Sequence, residues 1–224
     1  MTGPSGCEPV SARRLTTGDA TGTAPDVPTG NTFDKYASSN PVVKRLMTGF
    51  HGALDELWER ARPESVLDVG CGEGVLTEQW ADRLGDGRVV GVDLDDPKLR
   101  VQWERRRRDN LEFRADEATS LSFADAEFDL TAAIEVLEHV PKPEATLSEM
   151  ARVARGHLLV SVPREPLWRA LNVARGAYWR SLGNTPGHLN HWSKRAFVSL
   201  LSRYGEVEAV RSPFPWTMLL VRVD

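Results

Sequence analysis

Residues 65–74 read Ser-Val-Leu-Asp-Val-Gly-Cys-Gly-Glu-Gly, a stretch in which an apolar run gives way to closely spaced glycines. The run is typical of a short buried strand, and apolar residues at helical spacing resume over residues 75–84. Gly70, Gly72 and Gly74 let the backbone turn sharply and approach a ligand that any Cβ would exclude. The stretch predicts a strand, a tight turn and a helix, and the turn either binds a nucleotide-type ligand or is purely structural.

The same order of strand and helix repeats along the rest of the chain. Further strands are predicted at residues 88–93, 111–114, 128–134 and 157–162, with helices from about residue 97 and over 143–153. An amphipathic helix over 41–61 comes before them, and a helix over 194–204 and strands at 207–211 and 216–221 follow. Alternation of this kind implies parallel pairing through right-handed crossovers. We therefore predict an α/β fold with a doubly wound, mostly parallel, seven-stranded sheet, helices on both faces and ligands at the strand carboxyl ends.

Three segments of the chain differ in predicted organisation. A chain of 224 residues suits one large domain, and we assign residues 31–224 to it. Residues 1–30 are rich in Gly, Pro, Thr and Ser, so they cannot offset their ordering entropy, and we predict a disordered tail. Residues 163–192 interrupt the alternation after the fifth strand, which predicts a helical insertion capping the substrate side.

The charge balance argues against a nucleic-acid partner. The formal net charge is -4, so the protein has no overall attraction to a polyanion. The basic run at residues 105–108 is flanked by Glu104 and Asp109, and we interpret it as a solvated helix face. An RNA-modifying enzyme would need a more basic balance and an added binding module.

Cysteine use and hydropathy predict a cytoplasmic location. Cys7 and Cys71 are too few for a disulfide framework, and we expect both to be free thiols in a reducing compartment. No apolar run approaches the roughly 18 residues typical of a membrane span, and the N-terminus lacks the order of a signal peptide.

A second carboxylate strengthens the ligand interpretation of the glycine turn. Asp93 ends the second predicted strand, where a carboxylate can accept hydrogen bonds from both hydroxyls of a ribose. The turn has the spacing GxGxG, whereas dinucleotide dehydrogenases use GxGxxG. A nucleoside ligand other than a dinucleotide is therefore favoured.

Several segments together resemble the class I (Rossmann-like) S-adenosylmethionine-dependent methyltransferases, specifically the small-molecule branch that includes ubiquinone and menaquinone methyltransferases. The matching segments are Val66-Leu-Asp-Val-Gly-Cys-Gly-Glu-Gly74, Gly91-Val-Asp93, Arg114-Ala-Asp116, Phe128-Asp-Leu130 and Val136-Leu-Glu-His-Val140. They lie within roughly residues 34–162 and occur in the order that the family shows. The resemblance is specific for the fold and the cofactor, and it says little about the substrate.

The resemblance implies S-adenosylmethionine as cofactor, with S-adenosylhomocysteine as product. Asp68 and the turn from Gly70 to Gly74 would hold the methionine end, Asp93 the ribose and Asp116 the adenine amino group. Ile134 and Glu135 would line the inner face. Tyr36, in the segment Phe33-Asp-Lys-Tyr36, would touch the sulfonium or substrate, or only pack that segment down. The full predicted cofactor set is Asp68, Gly70, Cys71, Gly72, Gly74, Asp93, Leu94, Asp116, Glu117, Ile134, Glu135 and Tyr36.

Each carboxylate in that set also has a structural alternative. Asp68 could cap the following turn, Asp93 could start the next helix, and Asp116 could make a local backbone bond in its loop. Their joint occurrence at successive strand ends favours the cofactor interpretation.

Three histidines are candidates for a catalytic base on the acceptor side. His139 follows the fourth strand, and His188 and His191 lie in the variable segment. Histidine suits proton transfer near neutral pH, and the alternative for each is a structural hydrogen bond in its loop. His188 and His191 have a spacing that could form a metal pair, but no third ligand stands out, so we predict no metal.

The acceptor is predicted to be a small molecule that is aromatic or phosphate-bearing. Residues 166–179 have helical apolar spacing and two tryptophans, which indicates either a lid over a ring-bearing substrate or an ordinary core or interface face. Arg164, Arg169 and Arg175 would bind phosphate if they point inward.

We predict methyl transfer by direct displacement, with oxygen favoured as the acceptor atom. The alternative is a protein of this fold that binds S-adenosylmethionine or another nucleotide without methylating, as a pathway partner or in a different reaction. The oligomeric state is not predicted.

Overall fold

The strands form one mixed sheet with the order β3-β2-β1-β4-β5-β7-β6. The computed structural model describes residues 40–174, 176–178 and 181–223. All strand pairs in that part of the chain are parallel except those of β7, which is antiparallel to β5 and β6. The strands are β1 (Ser65–Val69), β2 (Arg88–Asp93), β3 (Leu111–Ala115), β4 (Phe128–Ile134), β5 (Ala154–Pro163), β6 (Glu206–Arg211) and β7 (Trp216–Arg222). The predicted fold class is confirmed.

Six helices are described alongside the sheet, namely α1 (Pro41–Ala61), α2 (Val75–Leu84), α3 (Pro97–Arg106), α4 (Pro143–Val153), α5 (Leu167–Ala174) and α6 (Lys194–Leu201). Local sequence explains where they begin. The Asn40 side chain accepts a hydrogen bond from the Val42 N–H at 2.9 Å, and the Asp96 side chain accepts one from the Lys98 N–H at 2.8 Å. Both caps precede a proline in the first turn, where its missing N–H costs nothing.

The core has one apolar layer on each face of the sheet. On one face, α1 packs Phe50, Leu54 and Trp58 onto the strands, and α2 and α3 complete the layer with Trp80 and Trp103. The other layer is built from α4 and α6, including Leu147, Met150, Phe197 and Leu201. The sheet is therefore covered on both sides, which explains why its central strands are apolar along their whole length.

Most predicted bounds agree with the structure to within one residue, and two differ by more. β5 begins at Ala154, three residues before the predicted start, because Arg155 is held beside β4 by ion pairs to Asp129. α6 ends at Leu201, three residues before the predicted end at Tyr204. Ser202 caps the helix, and a turn follows. After β5, α5 is the only α-helix in the described part of residues 164–193, so the helical cap remains a prediction.

Several predictions fall outside the described residues. These are the disordered tail over residues 1–30, the thiol of Cys7, the contact of Tyr36, and the contributions of Arg175 and Trp179. Among the helices that the structure does describe, none has the length and apolar character needed to cross a bilayer.

The strand order reverses direction between β1 and β4, and this position locates the site. Ligands of open α/β sheets bind outside the carboxyl ends of the strands at such a switch point. The glycine turn follows β1, and residues 135–140 follow β4. The two loops touch, because a Cβ built on Gly70 would lie 2.5 Å from Cγ2 of Val136.

Candidate active site

The glycine turn after β1 requires glycine for two separate reasons. Gly70, Gly72 and Gly74 all have φ in the left-handed region, at 74°, 55° and 78°. A Cβ on Gly74 would meet the Phe113 ring at 2.5 Å, so that position is crowded by the protein itself. A Cβ on Gly72 would meet nothing within 4 Å, so that position opens onto space. Burial raises the pKa of the neighbouring Cys71 thiol, which therefore stays protonated.

Asp93 ties the end of β2 to this turn. One carboxylate oxygen accepts a hydrogen bond from the Gly72 N–H at 2.7 Å, and the other accepts one from the Leu94 N–H at 2.7 Å. Asp93 does not begin α3, because Asp96 caps that helix. Burial raises the Asp93 pKa, and the two backbone hydrogen bonds oppose that shift. Each oxygen retains acceptor capacity for a further donor, since an ionised carboxylate offers about four acceptor positions.

Two side chains from α3 also hold the turn, and the sequence analysis missed both. The Trp103 indole donates to the Gly72 carbonyl at 2.8 Å, and the Arg106 guanidinium donates to the Glu73 carbonyl at 2.9 Å. The helical pattern indicates an ordinary core position for Trp103, and no sequence signal links this residue to the glycine turn 31 residues earlier. Hydrogen bonds from side chains of the neighbouring helix α3 thus hold the turn in place.

The basic run at residues 105–108 is paired within the protein rather than simply solvated. Arg106 and Arg108 both form ion pairs with Glu78, and Arg108 also pairs with Asp82. The sequence predicts that Glu104 and Asp109 neutralise part of the charge of this run. Among the described ion pairs this is seen for Arg107, whose Nη1 lies 3.7 Å from Oε1 of Glu104. The acidic partners come from α2, which lies beside α3.

Asp68 lies at the end of β1 beneath the turn, with a carboxylate that is almost fully buried. It accepts a hydrogen bond from the Thr77 hydroxyl at 2.7 Å. Burial raises the Asp68 pKa to about 7, the Thr77 hydrogen bond opposes this, and Asp93 adds to it. Its protonation state therefore changes near neutral pH.

Asp116 follows β3, and its carboxylate makes the local hydrogen bonds that the structural alternative predicts. It accepts from the backbone N–H groups of Glu117 and Ser122, each at 2.9 Å. Its own N–H donates to the Asp93 carbonyl at 2.9 Å, which places the ends of β2 and β3 side by side. Leu94 is 40% exposed at the same edge.

Glu135 occupies a strained position at the end of β4, directly after Ile134. Its φ is 61°, which is uncommon for any residue other than glycine. Its carboxylate accepts from the Trp216 indole at 2.6 Å and from the Ser161 hydroxyl at 3.3 Å. Strained backbone of this kind is concentrated at functional sites. Glu135 thus joins the carboxyl ends of β4 and β5 to the start of β7.

An aromatic cluster, defined as Phe50, Trp168 and Trp216, lies beside Glu135. Trp216 contacts Phe50 edge to face at 4.9 Å between ring centroids, and Trp168 at 5.9 Å. Trp168 comes from α5, so the segment over residues 164–193 contributes a partly buried aromatic ring that packs against the core. Its indole donates to the Thr185 hydroxyl at 2.9 Å.

The three predicted histidines lie close together next to this cluster. The ring of His188 is 4.8 Å from that of His139, 6.5 Å from that of His191 and 6.2 Å from that of Trp168, measured between centroids. His139 contacts the Gly187 carbonyl through Nδ1 at 3.0 Å, and His191 contacts the Asn184 side chain through Nε2 at 2.7 Å. Each of these two therefore makes a loop hydrogen bond as well as lying near the site.

Of the two described arginines that the sequence analysis names in this segment, Arg169 binds the segment's own backbone through its side chain, and Arg164 bonds outside the segment through its backbone N–H. The Arg169 guanidinium donates to the Leu182 carbonyl at 3.0 Å, and the Arg164 N–H donates to the Pro215 carbonyl at 3.0 Å. These contacts favour a structural role for Arg169 over the phosphate contact that the sequence suggested.

The arrangement fits a nucleoside-bearing cofactor at the switch point. The Cβ position of Gly72 opens onto space where a ligand can approach the backbone, and Asp93 presents a carboxylate anchored by that same backbone. A ribose with two adjacent hydroxyls has the donors that such a carboxylate accepts.

Comparison with known proteins agrees with this fit. The family described as "Methyltransferase domain" matches residues 67–160. The chain is 38% identical over 107 residues to the ubiquinone biosynthesis O-methyltransferase of Hahella chejuensis, a match that covers 46% of this chain and 44% of that protein. It is 33% identical over 162 residues to the ubiquinone/menaquinone biosynthesis C-methyltransferase of Enterobacter sp., covering 65% of this chain and 63% of that protein.

The fold is also found among solved structures. The SAM-dependent methyltransferase from Aquifex aeolicus superimposes with a TM-score of 0.64 at 18% identity, covering 83% of this chain and 94% of that one. The chain matches less than two thirds of the length of either quinone-pathway relative. With the order of its motifs and its sheet topology, these matches show that residues 67–160 are similar to the methyltransferase domain family, and that the chain has the fold of the solved class I, Rossmann-like S-adenosylmethionine-dependent methyltransferases.

Proposed function

We propose that this protein transfers a methyl group from S-adenosylmethionine to a small aromatic acceptor of the quinol type. The observation that carries the proposal is the glycine turn, which is open at Gly72 and anchored by the Asp93 carboxylate. In this proposal Asp93 and Leu94 hold the ribose, Asp68 and the turn hold the methionine end, and Asp116 and Glu117 lie at the adenine. Ile134 and Glu135 form the inner wall.

The acceptor would lie on the β4, β5 and β7 side of the cofactor. Phe50 and Trp216 of the aromatic cluster are buried in the core, and the partly buried Trp168 is the ring of the cluster that can offer apolar surface to a flat ligand. The two relatives described above act in quinone biosynthesis, one as an O-methyltransferase and one as a C-methyltransferase. We propose oxygen as the acceptor atom, because the neighbouring histidines can accept the proton that a hydroxyl loses.

The residues of the chain would act mainly by positioning. S-adenosylmethionine supplies an electrophilic methyl group when bound. The glycine turn and Asp93 fix the orientation of the nucleoside, and the aromatic cluster aligns the acceptor and excludes water. Glu135 holds Trp216 in place through its carboxylate. His139, His188 and His191 are the proposed proton acceptors. We place the reaction in the cytoplasm, on the composition alone.

The first test of this function is product formation with acceptors of defined chemistry. We expect S-adenosylhomocysteine to accumulate when purified protein and S-adenosylmethionine are incubated with a hydroxylated aromatic quinol, and not with the matching acceptor whose hydroxyls are already methylated. Mass spectrometry of the acceptor locates the new methyl group on oxygen or carbon. Cofactor binding without product from any quinol, catechol or phenol tested would contradict methyl transfer and favour the alternative of a binding or non-methylating protein.

Cofactor affinity should depend on pH through Asp68. With a pKa of about 7, this carboxyl is largely protonated below neutral pH, and the ammonium of the methionine end prefers its ionised form. The dissociation constant of S-adenosylmethionine should therefore rise as pH falls from 7.5 to 5.5, by up to about tenfold per unit well below the pKa. Calorimetric titration at several pH values measures this. In Asp68→Asn, which keeps an acceptor for Thr77, the affinity should be nearly independent of pH, and an unchanged pH profile would contradict the assignment.

The raised pKa of Asp68 also predicts how the free energy of unfolding depends on pH. Because its folded pKa lies above 3.8, the unfolded chain releases the proton first as pH rises. Asp68 therefore lowers the free energy of unfolding progressively between pH 3.8 and about 7, and Asp68→Asn should remove that part of the pH dependence.

A further inference from the structure

Three metal-ligating side chains meet where the segment over residues 164–193 crosses the loop after β4. Glu138 and His139 come from that loop, and His188 comes from the segment. One ligand atom from each residue lies within 4.8 Å of the ligand atoms of the other two. We propose that Glu138, His139 and His188 bind a divalent transition-metal ion of the zinc type. The proposal goes beyond methyl transfer and does not depend on it. A bound ion would occupy the lone pairs of His139 and His188, and His191, which is outside the group, would then remain as the proton acceptor of the proposed function.

The folded chain supplies the third ligand that the sequence did not reveal. The spacing of His188 and His191 suggested a pair, but His191 contacts the Asn184 side chain, and His188 lies against His139 instead. The metal group is therefore formed by residues about 50 positions apart, which no local motif shows. This corrects the reasoning behind the prediction of no metal, since that prediction rested on a missing third ligand.

The chemistry of the donors selects the class of metal. Two imidazoles and one carboxylate are a common zinc set, whereas Mg²⁺ and Ca²⁺ prefer oxygen ligands only. Ligand atoms bound to one zinc ion at about 2.0–2.2 Å lie roughly 3.3–3.6 Å apart when the geometry is tetrahedral. Oε1 of Glu138 and Nε2 of His139 are already 4.0 Å apart. Small side-chain rotations therefore bring the three atoms to coordination distance.

The backbone fixes the tautomer of His139 that a metal needs. Its Nδ1 lies 3.0 Å from the Gly187 carbonyl oxygen. Because a carbonyl only accepts, Nδ1 carries the proton, and in the neutral imidazole Nε2 is then the nitrogen with a lone pair. Metal-binding histidines typically donate their other ring N–H to a carbonyl or carboxylate in this way. Nε2 is also the nitrogen nearer to Glu138.

The two segments that carry the ligands are fastened together by hydrogen bonds. The N–H groups of Leu189 and Asn190 donate to the Glu138 carbonyl at 2.7 and 3.1 Å. The Asn190 side chain donates to the carbonyls of Leu137 and Val140 at 3.0 and 2.7 Å. The site is thus largely formed before any ion arrives, which lowers the entropy cost of binding.

Burial adds to the case for a cation. The Glu138 side chain is 2% exposed, and His188 as a residue is 8% exposed. Removing a carboxylate from water is costly, and a divalent cation would offset that cost. The ion would clamp residues 187–190 onto the loop after β4, and Trp168, which lies over His188, would be held with them.

The test uses the full-length, tag-free protein, stripped with a chelator and titrated with Co²⁺ or Zn²⁺ alone. We expect one ion per chain, a visible cobalt absorption typical of four-coordinate geometry, and a melting temperature raised by roughly 5–10 °C at 100 times the dissociation constant of zinc. His188→Ala and Glu138→Gln should each weaken binding by at least about 100-fold, since even the outer partners of metal ligands contribute about 10–100-fold. The matched control is His157→Ala, because His157 contacts Glu208 away from this group and its loss should leave the affinity unchanged.

Two results would overturn the proposal. One is the absence of stoichiometric binding by the wild-type protein, and the other is equal affinity in wild type and in folded His188→Ala. X-ray absorption of the zinc-loaded wild type does not depend on variants that fold, and it should show two imidazole ligands; a spectrum without imidazole would also reject the site. Since no S-adenosylmethionine is present, failure here leaves the proposed methyl transfer untouched, and failure of methyl transfer leaves this result standing.

Discussion

Replacing Asp93 by alanine is expected to weaken S-adenosylmethionine binding by at least about 100-fold, which is on the order of 3 kcal/mol. The variant removes the acceptor proposed for both ribose hydroxyls, and hydrogen bonds to a charged group contribute about 1.5–3 kcal/mol each. It also releases the Gly72 N–H and the Leu94 N–H, which the carboxylate holds at 2.7 Å. The turn then loses its anchor as well as its ligand contact. Calorimetric titration with S-adenosylmethionine and S-adenosylhomocysteine measures the loss.

The matched control for this experiment is Asp95→Ala. Asp95 lies two residues further along, pairs with Arg100 and is solvent-exposed. Its removal should leave cofactor affinity unchanged, because exposed ion pairs contribute little. Circular dichroism and melting temperature establish that both variants fold. Equal affinities of Asp93→Ala and wild type for S-adenosylmethionine would contradict the assignment of the cofactor site to this end of the sheet.

Replacing Gly70 by alanine is expected to lower the free energy of unfolding by about 2–5 kcal/mol. An L-residue in the left-handed region costs about 1–2 kcal/mol, and Gly70 has φ of 74°. Its new Cβ would lie 2.5 Å from Cγ2 of Val136, and overpacking of that kind costs about 1–3 kcal/mol. Urea unfolding followed by circular dichroism measures the sum. The chain offers an opposite control in Gly52→Ala, which lies in α1 with nothing near its Cβ and should gain about 0.5–1 kcal/mol.

The two causes can be separated with a second substitution. In a Val136→Ala background the atoms at 2.5 and 2.8 Å are gone and only the Cβ of residue 136 remains close, at 3.2 Å, so Gly70→Ala should cost little more than the backbone part, about 1–2 kcal/mol. If the cost is the same in both backgrounds, the contact with Val136 is not what requires glycine at position 70.

Strand and helix positions were predictable because they depend on local patterns. The helical spacing of apolar residues located α1 at Pro41–Ala61, and an apolar run that ends in glycines located β1 at Ser65–Val69, with the bounds that the structure has. Carboxylates at successive strand ends were predictable for a related reason, since parallel strands bring their carboxyl ends to one edge. What Asp116 does was less predictable, because its loop competes for the carboxylate through Ser122.

Contacts between distant segments could not be predicted from the sequence. Glu135 and Trp216 are 81 residues apart, and only the placement of β7 beside β5 brings them together. The same holds for His139 and His188, which appeared as separate candidates. Trp103 shows a third case, in which a core tryptophan also donates to a loop carbonyl.

The position of β7 has a consequence for biosynthesis. This strand is late in the described sequence, yet it lies between β5 and β6 and is buried along nearly all its length. Until it has left the ribosome, β5 presents an unpaired apolar edge, which is the kind of surface on which nascent chains associate. Premature termination before Trp216 should therefore yield an aggregating product rather than a shortened folded one, because β5 would keep that edge unpaired.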